Sequence, residues 1–337
     1  MFKPLYTAPA LTLGSLGLFF WGSGSSAPAP APAPPASGPP APVGGGFPPS
    51  KPPTRNNGVT DPRTSAIVNP SDFFKYGFPG PIHDLQKRSE FVSVYDRQTR
   101  NPYYVVEHIT PESLKKDPEG GDRKNSIFKE DEAIPERFRA HLKDYFRSGY
   151  DRGHQAPAAD AKFSQDAMNE TFYLTNMSPQ VGAGFNRDYW AHFEDFTRRL
   201  TQQYASVRIV TGPLYLPKKD PVDGKFKVTY EVIGNPPNIA VPTHFFKLVV
   251  AEKSFKKSSG NDELAVAAFV MPNDIIPNEV PLTSFEVPVE ALERSSGLEF
   301  LKLVPETKKK SLCGEFKCSI IVREFNNNVK ALPAPKK

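Results

Sequence analysis

Between Ala27 and Pro53 the chain places twelve of its thirty-seven prolines. Proline fixes φ and donates no backbone hydrogen bond, so this stretch builds neither helix nor ladder and packs no core. The first sixty residues contain no Asp or Glu, and their only Lys or Arg residues are Lys3, Lys51 and Arg55. The rest of the chain has ordinary composition. At roughly 270 residues it is enough for one large domain or two small ones. Fibrous, disulfide-rich and polytopic membrane classes are excluded.

Nothing from Pro4 to Gly24 is charged, and the apolar weight lies between Leu11 and Trp21. That stretch is short and glycine-rich for a membrane span, which needs about 20 apolar residues. A secretory signal, a single anchor and a mitochondrial presequence all fit it. Residues 1–26 therefore read as a targeting or membrane-anchor segment and 27–60 as a disordered Pro/Ala/Gly-rich linker. Residues 61–305 read as the working domain and 306–337 as a C-terminal extension. The net charge is +5, three units of it from the prefix, which neither indicates nor forbids a nucleic-acid partner. The run Lys308, Lys309, Lys310 reads as a solvated loop or a phosphate contact. Cys313 and Cys318 form one local bridge or stay reduced, and no nearby histidine or further cysteine completes a zinc site.

Strand-like runs lie at Phe91 to Tyr95, Tyr103 to Ile109, Val207 to Tyr215, Phe226 to Ile233, His244 to Ala251 and Leu264 to Met271. A short helix is expected near residues 135–146, and Asp223-Gly224 signals a hairpin turn. Short connections between successive strands predict an α+β fold with a largely antiparallel central sheet. From Asn186 to Tyr204 the spacing predicts a long helix, with Tyr189, Phe193, Phe196 and Leu200 on one stripe. Asn186, Trp190, Glu194 and Arg198 form a second row along its border.

The most informative stretch is SGYDRGHQAPAAD, residues 148–160. Asp151, Arg152, Gly153 and His154 set an acid, a fixed cation and an imidazole around a glycine that lets the backbone turn. DRGHQAPAA, then TFYLTNMSPQ, then FNRDYWAHFE occur in that order. Together they resemble the DNA/RNA non-specific endonucleases of the ββα-metal fold. VTGPLYLP and VPTHFFKLVV resemble the endonuclease G, mitochondrial, branch of that family. The similarity spans about residues 75–300.

The resemblance implies a ββα-metal motif with a long active-site helix, and a metal-dependent, sugar-non-specific endonuclease that leaves 5′-phosphate and 3′-hydroxyl ends on DNA and RNA. It makes His154 the general base and Asn186, opening the helix, the single direct protein ligand of a divalent ion, magnesium or manganese. Glu194 would hold the ion's water shell. Arg198 and Arg123 would neutralise substrate phosphate. Asn176 would support the pocket beside Asp151 and Arg152. The chemistry agrees: magnesium keeps several waters and accepts few protein ligands, and a neutral imidazole can remove a proton from water while a metal stabilises the leaving oxygen. Each residue alone also has a plainer reading. Asn186 fits a helix N-cap, and Glu194 with Arg198 fits an exposed i,i+4 pair. His83, His108, His141, His192 and His244 read as structural or exposed.

The alternative reading is a catalytically inactive nuclease-fold protein that binds nucleic acid or a partner. A membrane-tethered scaffold built on the prefix is a third. Two sequons, at Asn169 and Asn176, would meet glycosylation in the secretory route, and the second lies inside the TNMSPQ motif. With the resemblance, this points to the mitochondrion, at the intermembrane space or the inner membrane, with inner-membrane association through the N-terminal segment. The resemblance also implies a homodimer.

Overall fold

The computed structural model describes residues 75–76, 84–253 and 263–323. The expectations for residues 1–60, the targeting segment and the linker, lie outside the described residues, as does His83. Among the described residues no helix is long and apolar enough to cross a membrane.

The chain begins with strands β1 (Asp84–Lys87), β2 (Phe91–Asp96) and β3 (Asn101–Ile109), followed by helix α1 (Leu142–Tyr145) and strand β4 (Asp151–His154). Helix α2 (Gln165–Glu170), strand β5 (Met177–Gln180) and helix α3 (Tyr189–Leu200) come next. Strand β6 (Ser206–Leu214) leads to four two-residue strands: β7 (Lys218–Lys219), β8 (Phe226–Lys227), β9 (Val232–Ile233) and β10 (Ile239–Ala240). The long strands β11 (His244–Glu252) and β12 (Leu264–Pro272) precede β13 (Glu286–Val287), α4 (Val289–Ser296), β14 (Lys309–Ser311) and α5 (Leu312–Glu315).

One large sheet runs in the order β1-β2-β3-β6-β11-β12-β13, every neighbouring pair antiparallel. β14 adds to β12 in parallel. The α+β, largely antiparallel expectation therefore stands. Strand side chains alternate between faces, and each face has its own core. On one, Val207, Ile209, Phe245, Val249 and Phe269 pack against Tyr189, Trp190, Phe193 and Phe196 of α3. On the other, Val92, Tyr104, Val106, Phe246 and Leu248 pack with Leu292 of α4 and with Leu298, Phe300 and Leu301. The aromatic stripe of α3 is thus buried core, with the Phe193 and Phe269 rings edge to face at 5.1 Å, a geometry worth about 0.5–1.5 kcal/mol beyond burial.

Several expectations change. Phe226 to Ile233 is no single strand. Its two ends pair separately, β8 with β7 and β9 with β10, and Phe226, Val228, Tyr230 and Val232 are exposed. Asp223-Gly224 does mark a turn, with Gly224 at φ +71°, but it joins β7 to β8 and not two long strands. The helix near 135–146 shrinks to α1 and a 3₁₀ turn at Glu136–Phe138. The C-terminal segment is built into the fold as far as Arg323. Lys309 and Lys310 lie in β14 with Glu306 and Glu263 as ion-pair partners, and Cys313–Cys318 is a disulfide. Arg199 Nη2 donates to Ser319 O at 2.8 Å, the Arg323 N–H donates to His192 Nε2 at 2.8 Å, and Phe316 meets Phe196 edge to face. This C-terminal arm covers the outer side of α3.

Candidate active site

β4 and β5 pair as a two-stranded antiparallel ribbon, His154 opposite Met177 and Gly153 opposite Ser178, and α3 comes after them in the chain. Gly153 is required by space: a Cβ there would stand 1.9 Å from Gln180 Oε1. Asn176 fixes the backbone that leaves His154. It is fully buried, accepts the Ala156 N–H at 2.9 Å, and donates to Ala156 O and Thr171 O at 2.9 and 2.8 Å. Its sequon nitrogen is committed to the interior.

His154 is 8% exposed, its ring set between Phe172 at 4.9 Å and Phe128 at 5.7 Å. Arg152 lies over the other ring, 4.0 Å from the Phe128 centroid, and Arg123 lies 5.7 Å from that of Phe172. Burial, then the charges of Arg123 and Arg152, hold the imidazole well below its usual value. It is therefore a neutral proton acceptor at physiological pH. Burial also lowers the Arg152 pKa. Sequence order gives no hint that Arg123, exposed on a short 3₁₀ turn, reaches this pocket; the shared Phe172 ring brings it there.

Asn186 does not open the helix. It sits in a wide π-type turn, Gly182–Asn186, that precedes α3, and the helix starts at Tyr189 with Asp188 at its cap position. Gly184 at φ +81° and the irregular backbone of Asp188 break the helical run. The N-cap reading is thereby excluded, and a rise counted along one continuous helix does not measure the separation of Asn186 from Glu194. The Asn186 amide donates to Asp151 Oδ2 at 2.9 Å, and Arg187 Nε pairs with the same oxygen at 2.9 Å. This fixes the amide so that its carbonyl oxygen, a hard donor, is the end left for a cation. Among the described residues no cluster of three or more His, Cys, Asp or Glu could hold a metal. The donor set fits an ion that keeps most of its waters, not one caged by carboxylates.

Glu194 and Arg198 are half-buried, not an exposed pair. Burial pushes Glu194 up to about 7, against the lowering pull of Lys247 and Arg198. Arg198 Nη1 pairs with the fully buried Asp160 at 2.9 Å. Burial opposes its charge, but Asp160 and Glu194 more than offset that and raise its pKa. Asp160, Phe128 and Phe172 are the neighbours that sequence reasoning missed. Two of them stand inside the motifs, Asp160 closing QAPAAD and Phe172 in TFYLTN, where a charged or aromatic residue beside the base was the available signal. The structure thus gathers Arg123, Arg152 and His154 around one aromatic pair, and joins Asp151 to Asn186. It pairs Arg198 with Asp160 and sets the Arg198 charge near Glu194.

The model of the DNA/RNA non-specific endonuclease family matches residues 69–307. The mitochondrial nuclease of Saccharomyces cerevisiae is 66% identical over 293 residues, covering 85% of this chain and 88% of the relative. Human endonuclease G, mitochondrial, is 43% identical over 227 residues, 67% of this chain and 72% of the relative. A chain in the crystal structure of the EndoG/EndoGI complex, which concerns the mechanism of EndoG inhibition, superposes with a TM-score of 0.67 at 45% identity, over 72% of this chain and 97% of that one. The chain belongs to the DNA/RNA non-specific endonuclease family, metal-dependent hydrolases of phosphodiester bonds, and to its mitochondrial endonuclease branch.

Proposed function

We propose that this endonuclease cuts DNA and RNA with His154 as general base and one divalent ion, magnesium or manganese, held directly by Asn186 and through water by Glu194. The observation that carries the reading is the neutral, buried His154 beside two guanidinium groups. A neutral imidazole has its ring nitrogen free to take a proton from water, while Arg123 and Arg152 attract phosphate. Arg198 gives one nitrogen to Asp160 and keeps the rest of its fork for substrate oxygens. Asp151 orients the Asn186 amide, and Asn176 holds the backbone behind the base. When bound, the ion supplies electrostatic stabilisation for the charge that gathers on phosphate and leaving oxygen. Products would carry 5′-phosphate and 3′-hydroxyl ends.

The names of the relatives support a mitochondrial location; the intermembrane space or the inner membrane as compartment and a homodimer as working form are proposed on the family resemblance alone. Plasmid-DNA and RNA cleavage by the full chain, with and without EDTA and beside His154→Ala, tests the reading. EDTA should abolish cutting, and the substitution should lower the rate about 10²–10⁴-fold. A His154→Ala protein that cuts at the parental rate removes His154 as base. A folded parent that binds but does not cut under varied metal and salt favours a binding module.

A further inference from the structure

Helix α3 offers two acid–arginine pairs of the same kind, side by side. Asp195 with Arg199, and Glu194 with Arg198, each stand one helical turn apart with the acid first, the order that favours pairing on a helix. Asp195 and Arg199 join at 3.2 Å. Glu194 and Arg198 do not. Among the described residues the ion pair of Arg198 goes to Asp160 instead, Nη1 to Oδ1 at 2.9 Å. The contact has a single prong, since Asp160 Oδ2 has no hydrogen-bond partner among the described residues.

The place of Asp160 explains the difference. Its side chain is fully buried, whereas that of Arg198 is 18% exposed. A buried carboxylate left without a countercharge costs far more than a half-exposed pair along one helix returns. Asp160 also stands on a fixed stretch of backbone. Its N–H donates to Pro157 O at 3.0 Å, and Asn176 clamps Ala156 from both sides of its peptide. Ala158 and Ala161 pack with Phe172, whose ring meets that of His154 at 4.9 Å. The ion pair therefore ties α3 to the turn that follows the base.

We propose that Asp160 is a positioning residue of the active site, drawing the Arg198 guanidinium off Glu194 and anchoring it to the rigid turn after His154. Two consequences follow from one contact. The Glu194 carboxylate stays out of an ion pair with its helix neighbour, and the remaining nitrogens of Arg198 point from a fixed origin. This rests on the reading of Arg198 as a phosphate-binding residue.

A double-mutant cycle on the full chain tests it. Plasmid cleavage at saturating magnesium gives kcat and KM, and binding of a short DNA duplex is measured separately in EDTA. Leucine has the branched shape of aspartate without its charge or acceptors, and the released Arg198 can reach solvent or Glu194. Asp160→Leu should lower kcat roughly tenfold, while duplex binding in EDTA stays within about twofold or tightens. Asp160→Asn keeps an acceptor oxygen and should recover most of the loss. Arg198→Lys keeps the charge that balances Asp160 and loses the planar fork. Added to it, Asp160→Leu should cost less than about twofold more, because a residue acting through Arg198 loses its object. A parental kcat for Asp160→Leu, binding that falls in step with kcat, an asparagine variant as slow as the leucine one, or losses that simply multiply overturns the proposal. If the leucine variant melts below the assay temperature, Asp160→Ala is read in the same cycle against the same outcomes. Arg198→Lys at the parental rate sinks the underlying reading of Arg198 instead, and is recognised before the pair is measured.

Discussion

Single side chains here are set by space and by charge in separable ways. Gly153 is spatial: a Cβ there would overlap the buried Gln180 side chain, which would have to give way. His154 is electrostatic, kept neutral by burial and two guanidinium groups. Glu107 shows what such burial costs. Its folded-state pKa is raised well above the ordinary value of 4.5, chiefly by burial. The folded protein therefore keeps a proton that the unfolded chain releases. The stability associated with that proton is fully present below about pH 4.5 and is lost as pH rises towards the folded pKa. Glu107→Gln mimics the protonated acid and escapes the loss. Its melting temperature relative to the parent should rise between pH 5 and pH 8. A difference that stays constant across that range would show that Glu107 does not titrate abnormally.

Elements were legible where a repeat was long enough to be tested against a face. The α3 stripe and the long strands of the sheet follow the 3.6- and 2-residue periods, and the structure buries them accordingly. Phe226 to Ile233 alternates as well as any of them, yet no sheet edge receives it, because strand preference measures packing that the sequence does not display. The expected start of α3, Asn186, lies three residues before the observed one, Tyr189; the break falls at the irregular backbone of Asp188, which a periodic pattern does not reveal. Asp160 and Phe128 reach Arg198 and His154 through contacts between residues distant in sequence, which no local pattern displays. The stripe itself predicts a magnitude. Phe196→Ala should cost about 3–5 kcal/mol in a urea titration, since the ring is fully buried between Phe193 and Phe316. A loss under about 1 kcal/mol would mean that the α3 core closes around the gap.

At the scale of the molecule, the helix that carries Glu194 and Arg198 lies between the sheet and an arm from the far end of the chain. Removing residues 306–337 strips β14 from β12, uncovers Phe196 and deletes the buried Leu312, whose burial alone is worth about 1.5–3 kcal/mol. The thermal midpoint should fall by roughly 5–10 °C, and scanning calorimetry of the truncated and full chains measures it. An unchanged midpoint would mean that the arm merely rests on the surface. If the fall is seen, the order of manufacture acquires a meaning. His154 leaves the ribosome long before Arg323, and during that interval α3 lacks its outer cover. The contacts that cover α3 from Phe316, Ser319 and Arg323 would therefore form only after the residues of the site have been made.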